Sequence, residues 1–273
     1  MKNEMLNYSD CVEIAEGTYW VGLWDEVTAL KCNPYLIVDD NEAVLIDSGS
    51  RNEFSTVMLK ILRTGVNPKN IKRLIYQHYD PDLCGNIPHM EEVIGGNDLR
   101  IISHYENNVF IDCYSTKTPK LCIENMDFHF DFSSGRRLEF IRTPYSHAAG
   151  SFITYDTKTK VLFSSDIFGA YDSDWSLYSR ISEECVNCRP TKICPVSKKN
   201  CQIICVWQFH KRVMPSKKAL HYALNLIEEK DVSLIAPQHA SILNTTLSQR
   251  IIIERLRSLE NVGIEYFLDE KRS

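Results

Sequence analysis

Four short apolar runs in this chain are each followed within a few residues by a histidine or an aspartate, and that recurrence limits the available folds more than any other feature. The run 71–76 leads directly into Gln77-His78-Tyr79-Asp80-Pro81-Asp82, and 138–141 is followed by His147. The run 161–164 is followed by Asp166, and 232–236 by His239. Short runs rich in branched and aromatic residues, bounded by turn formers, read as β-strands. Strand ends are rigid anchors, so loops leaving one sheet edge can bring their first residues together. The pattern calls for a sheet protein with its chemistry gathered at strand ends.

The rest of the chain supplies sheets and helices around those runs. Thr18-Tyr19-Trp20-Val21-Gly22-Leu23 reads as an opening strand, and a polar stretch leads to Tyr35. The apolar runs 35–38 and 43–46 form a hairpin through Asp39-Asp40-Asn41-Glu42, and Asp47-Ser48-Gly49 ends it with turn chemistry. Phe54, Val57, Met58, Ile61 and Leu62 recur at a helical period that closes near Gly65 and Pro68. A second helix spans about 87–93 and stops at Gly95-Gly96; those glycines read as a helix cap, not as a nucleotide loop. Further strands follow at 99–103 and 151–155, then mostly helices, with a closing helix over 245–259. No repeat or linker divides the chain, so 1–273 reads as a single α+β domain. Its element order suits two mixed sheets packed face to face with helices outside. At 273 residues and 44% hydrophobic composition, a core of that size needs no cross-links.

The charge excludes some partners. The formal net charge is −5, and no Lys/Arg run is long enough for a nucleic-acid stripe. The polar stretch 1–10 lacks the apolar region of a secretory signal, and no apolar stretch spans a bilayer. A cytoplasmic protein with reduced thiols is expected, handling a small molecule or a protein partner but neither nucleic acid nor membrane.

His78, Asp80, Asp82, His147, Asp166 and His239 together offer three imidazoles and three carboxylates. Two divalent cations bring four positive charges, of which three carboxylates cancel three. A lone ion does not need so many donors; a pair bridged by one carboxylate does. Each residue also has an ordinary reading. Asp166 could cap a helix opening at Ile167-Phe168, Asp80-Pro81-Asp82 could be a plain turn, and a single histidine after a strand is usually just hydrogen-bonded. Order and spacing lift the set above these readings.

The order His-x-Asp-x-Asp, His, Asp, His resembles the metallo-β-lactamase superfamily. The intervals fit as well: 64 residues lie between Asp82 and His147, 18 between His147 and Asp166, and 72 between Asp166 and His239. Tyr19-Trp20-Val21-Gly22 and Asp47-Ser48-Gly49 resemble that fold's opening strand and aspartate loop, so the likeness spans nearly the whole chain. It implies a four-layer αββα sandwich. Hydrolytic members read His-x-His-x-Asp-His at the first motif, whereas this chain has Asp80 and Leu83 there. Carboxylate for imidazole makes the site harder and more anionic, which favours iron or manganese over zinc. The carboxylate resembles the flavodiiron branch, which has Glu at that position. Asp-Pro-Asp before Leu83-Cys84-Gly85 is most similar to the oxygen-binding diiron proteins.

The resemblance implies two irons, with His78, Asp80 and His147 on the first, Asp82 and His239 on the second, and Asp166 bridging. Asp80 is one methylene shorter than the usual Glu, so its reach is the least secure. A diferrous pair would take up dioxygen, or NO, and give a peroxo-type species. No residue beyond the metal ligands stands out as catalytic. Flavodiiron enzymes carry a flavodoxin-like domain after the diiron domain; this chain ends at Ser273, so no flavin site is expected in it. An oxygen sensor is expected ahead of an O2 or NO reductase with a separate electron donor, and a zinc-dependent hydrolase is the rival on the same fold. The partner would be a redox or signalling protein such as a chemoreceptor. A homodimer is implied by the resemblance alone.

Five of the ten cysteines crowd together as Cys185, Cys188, Cys194, Cys201 and Cys205, in a stretch (about 182–206) that reads as a surface insertion. Closely spaced thiols can hold zinc or an iron–sulfur cluster, although the spacing matches neither common ferredoxin pattern. His210-Lys211-Arg212 follows an aromatic stretch and either orients a group behind the metal ligands or forms a solvated helix face, of which the solvated face is expected first. Tyr79 and Tyr145 either shape the pocket or pack, and His89, His104, His129 and His221 read as structural.

Overall fold

The computed structural model describes residues 6–24, 31–172 and 174–270. Part of the polar stretch before Tyr35 (25–30) and the first five residues of the polar N-terminus lie outside them. The chain divides into two compact units. Of the described residues the first holds 6–24 and 32–137; the second holds Lys31 and those from 138 onward.

The first unit is built on a seven-stranded sheet in simple sequence order. Its strands are β1 (Val12–Ala15), β2 (Thr18–Trp20), β3 (Tyr35–Asp39), β4 (Glu42–Ile46), β5 (Ile71–Ile75), β6 (Arg100–Ser103) and β7 (Lys120–Cys122). β1 to β4 form an antiparallel meander and β4 to β7 run parallel. Parallel strands need crossovers. These are α1 (Phe54–Arg63), then α2 (Pro81–Cys84) with α3 (Ile87–Ile94), then α4 (Tyr105–Ile111). Leu36, Leu45, Leu74 and Ile101 are fully or almost fully buried in one core with Val57, Ile61 and Ile87 from the helices.

The expected hairpin, first two helices and strand before His78 form as anticipated. The opening strand is shorter, ending at Trp20, and pairs with a strand not foreseen, β1. α1 also departs from its pattern: Leu62 is half exposed, while Lys60 is fully buried on the core side. The Lys60 ammonium donates to the Gly22 carbonyl at 2.5 Å and lies 3.7 Å from the Trp20 ring centroid. Burial lowers its pKa to about 7.

The second sheet has five strands in the order β12-β11-β10-β9-β8. They are β8 (His129–Asp131), β9 (Arg137–Arg142), β10 (Phe152–Asp156), β11 (Val161–Phe163) and β12 (Leu234–Ala236). β9 to β11 are antiparallel and β12 joins β11 in parallel. α5 (Gln202–Val213), α6 (Lys217–Glu228), α7 (Thr246–Arg257) and α8 (Ile264–Glu270) follow, and all but the last supply side chains to a core with Ile153, Leu162 and Ile235. Ser216 caps α6, and Thr245 with Ser248 forms a capping box on α7. No helix of the described residues is long and apolar enough to cross a membrane.

Candidate metal centre

In the first unit, β4 and β5 are parallel neighbours, so both C-terminal ends lie on one sheet edge. Asp47 leaves β4 there and His78 follows β5. Asp47 has a left-handed backbone (φ 56°), and its N–H donates to the Ile75 carbonyl at 2.8 Å. Ser48 is a small hub: its hydroxyl donates to Leu83 O (2.7 Å) and accepts from the Tyr76 hydroxyl (3.1 Å). Asn86 donates to the Ser48 carbonyl at 2.7 Å, and Ser103 to the Tyr76 carbonyl at 2.6 Å. These buried bonds hold the segment carrying His78, Asp80 and Asp82 from both sides.

His78 is fully buried, and its Nε2 lies 3.8 Å from an Asp80 carboxylate oxygen. Asp80 is the N-cap of α2, with Pro81 at the first helical position, yet its carboxylate makes no cap bond. Asp80-Pro81-Asp82 is therefore a helix start, not a plain turn. The local field is anionic. Burial and then Asp47, Asp82 and Asp80 push the Cys84 thiol well above its ordinary pKa. The Tyr114 hydroxyl is pushed up too, by burial and then by Cys84, Asp80 and Asp82. Such a surrounding suits a cation.

In the second unit the three expected residues come together. His147 Nε2 lies 2.9 Å from one Asp166 oxygen, and His239 Nε2 lies 3.5 Å from the other. His239 Nδ1 is 2.9 Å from the Lys31 carbonyl. A carbonyl only accepts, so the proton sits on Nδ1 and the Nε2 lone pair points to the carboxylate side. Non-glycine residues in left-handed conformations stand beside each ligand position: Tyr145, Ser165, Phe168 and Ala240. Backbone strain of this kind concentrates at functional sites.

Asp166 does not cap a helix. Ile167 N–H bonds Ser164 O and Gly169 N–H bonds Asp166 O, closing successive turns. A Cβ on Gly169 would meet the Phe209 ring at 2.8 Å and the Asp166 carbonyl at 2.9 Å, so the turn requires glycine.

His210 corrects the expectation of a solvated face. It is fully buried; its Nε2 accepts the Phe168 N–H at 3.1 Å, and its Nδ1 lies 2.7 Å from the Val206 carbonyl. Burial lowers its pKa to about 4, against a smaller opposing pull from that carbonyl. The aromatic stretch before His210 leaves an orienting role open as the second reading, and the crossing of α5 behind the Asp166 turn decides for it. Tyr79 stacks on Phe110 (centroids 4.3 Å apart) and packs, whereas Tyr145 is exposed. His104 caps α4, as a structural histidine would.

The cysteine stretch is not wholly a surface insertion. Cys201 is the N-cap of α5 and buried, and Cys205 lies a turn into that helix. Among the described residues no three of its sulfurs lie within 4.8 Å of one another, so the thiols are not preassembled for a metal.

The model of the ODP family of β-lactamase domains matches residues 30–240. An uncharacterized protein of Methanocaldococcus jannaschii is 26% identical over 260 residues, covering 89% of this chain and 59% of that protein. The chain thus spans less than two thirds of that relative's length. The flavodiiron protein from Giardia intestinalis superposes with a TM-score of 0.74 at 20% identity, over 92% of this chain and 60% of its own. The peroxy diiron species of the chemotaxis sensor ODP gives 0.68 at 22% identity, over 92% and 98%. Two mixed sheets with flanking helices are thus the metallo-β-lactamase-type α+β fold of these structures.

Proposed function

Because the chain belongs to the ODP family of β-lactamase domains, we propose that it is a non-haem diiron protein that binds dioxygen and acts as an oxygen or redox sensor. His78, Asp80 and His147 would hold one iron, Asp82 and His239 the other, and Asp166 would bridge, within one functional domain. The observation that carries this reading is the Asp166 carboxylate, each of whose oxygens faces a different imidazole. A shared carboxylate between two imidazoles suits a bridged pair of cations better than a lone ion. Three carboxylates, with Asp80 where hydrolytic relatives carry imidazole, favour iron over zinc. Iron, when bound there, would supply the redox chemistry that dioxygen binding requires. The protein's part is charge balance and position. Lys31 O fixes the His239 ring by accepting its Nδ1–H, and His210 with Gly169 shapes the turn that presents Asp166. The likeness to a chemotaxis sensor supports a signalling or redox partner of the chemoreceptor kind; a cytoplasmic homodimer is part of the same proposal.

The test is anaerobic purification, metal analysis and an optical spectrum before and after air. About two irons per chain and a new visible band on exposure are expected. Zinc at both positions with no spectral response overturns the reading in favour of a hydrolase. Supplying a reductant then separates sensor from reductase: rapid oxygen or NO consumption overturns the sensor.

A further inference from the structure

The cysteines that the diiron reading leaves unused occupy a structured segment with an internal logic of its own. Cys185 closes a short 3-10 turn (Glu183–Cys185), and Cys188 follows at the two-residue spacing common among thiolate metal ligands. Further on, the chain folds back on itself. Ile193 bridges Asn200 in antiparallel fashion, Cys194 N–H donates to Lys199 O at 2.7 Å, and Cys201 N–H donates to Lys192 O at 3.0 Å. The doubled-back loop thus carries Cys194 on one limb and Cys201 on the other. Cys185, Cys188 and Cys194 each pack against the hydrophobic core to which Cys201 belongs.

Two observations bear on what these thiols do. The Ser197 hydroxyl, then the N–H groups of Ser197 and Val196, lower the Cys194 thiol pKa against the opposing effect of burial, with Arg180 adding to the lowering. Backbone N–H groups converging on one sulfur stabilise the thiolate, the form that binds metal. Burial raises the Cys188 thiol, and Cys185, Cys201 and Cys194 raise it further, so all three lie within its electrostatic range; Arg255 opposes them. Arg255 also donates to the Cys188 carbonyl at 3.3 Å. Cys205 differs: one turn into α5, its thiol is pushed up to about 12 by burial and then by Asp172, which disfavours the thiolate there.

We propose that Cys185, Cys188, Cys194 and Cys201 form a tetrathiolate site for one thiophilic divalent cation of the zinc class, which pins the 183–201 segment against α5 and α7. Four thiolates around a dication carry a net charge of minus two, and the guanidinium groups of Arg180 and Arg255 offset it. Each thiol releases its proton to solvent as its sulfur–metal bond forms, and no electron moves. Four sulfurs on one ion lie closer together than these thiols do, so binding would contract the segment.

The test uses the full chain, stripped with chelator and titrated anaerobically with cobalt(II) as the probe. Intense thiolate-to-cobalt absorption is expected in the wild type, in Cys205→Ser and in Asp166→Asn, and its loss in Cys188→Ser and Cys194→Ser. Retention in Asp166→Asn separates this site from the diiron centre. Absence of the absorption in the wild type overturns the proposal, as does its persistence in both cysteine variants. Acid-labile sulfide in the isolated protein also overturns it, in favour of a cluster. Should the variants not fold, alkylation mapping of the wild type decides. Zinc at about ten times its Kd should slow modification of these four cysteines about tenfold and leave the others unchanged. Uniform alkylation refutes it.

Discussion

Replacing His210 by Gln tests how the buried imidazole behind the Asp166 turn acts. The ring accepts the Phe168 N–H through Nε2 and faces the Val206 carbonyl through Nδ1, which fixes it as the neutral Nδ1–H tautomer. Its pKa is about 4 in the folded chain, against 6.5 ordinarily. Between those values the unfolded chain binds a proton that the folded chain refuses. The contribution is therefore intact above about pH 6.5 and is lost progressively as pH falls towards 4. At about 1.4 kcal/mol per pH unit, the full window is worth on the order of 3 kcal/mol. Glutamine offers the same donor and acceptor without titrating, so His210→Gln should match the wild type at pH 8 within about 1 kcal/mol and lose less stability on acidification. His210→Leu should instead cost about 1–3 kcal/mol at pH 8, because it strands a buried N–H. The assay is urea unfolding of chelator-treated protein from pH 4 to 8. Protonation of the other carboxylates and histidines is common to wild type and variant, and cancels in the difference. Parallel stability curves for wild type and His210→Gln would refute the reasoning.

Three more outcomes follow from the geometry. On the proposed diiron reading, Asp166→Asn should lower bound iron from about two per chain to about one or less while far-ultraviolet circular dichroism is unchanged, because the carboxylate proposed to be shared is lost; metal analysis reads this, and full retention contradicts the proposed bridging role. Ser48→Ala should cost about 1–2 kcal/mol in urea unfolding, since the Tyr76 hydroxyl and Leu83 carbonyl lose their buried partner. Lys60 titrates near 7 when folded and at 10.5 ordinarily, so the unfolded chain binds the extra proton between those values and wild-type stability should rise with pH across that window. The Trp20 ring and Gly22 carbonyl favour the ammonium and moderate the rise; Lys60→Met should flatten it in thermal melts at pH 7 and 9.

The sequence by itself determined what depends on neighbours along the chain. The β3–β4 hairpin announced itself by two apolar runs around Asp39-Asp40-Asn41-Glu42, and α1 by its period, because turn chemistry and helical repeat are short-range. The six metal-ligating candidates were legible for the same reason: each follows a strand, and a strand end is a local event. Tertiary structure decided the rest. The β1–β2 pairing, the parallel placement of β7 beside β6 and the burial of Lys60 under Trp20 depend on partners brought in by the fold. His210 is the plainest case: its charged neighbours Lys211 and Arg212 favoured a wet surface over an orienting role, and only the packing of α5 against the Asp166 turn decided between the two. Hydrogen-bond partners distant along the chain leave no periodic mark on either segment, so burial of a polar side chain becomes visible only after the chain has closed around it.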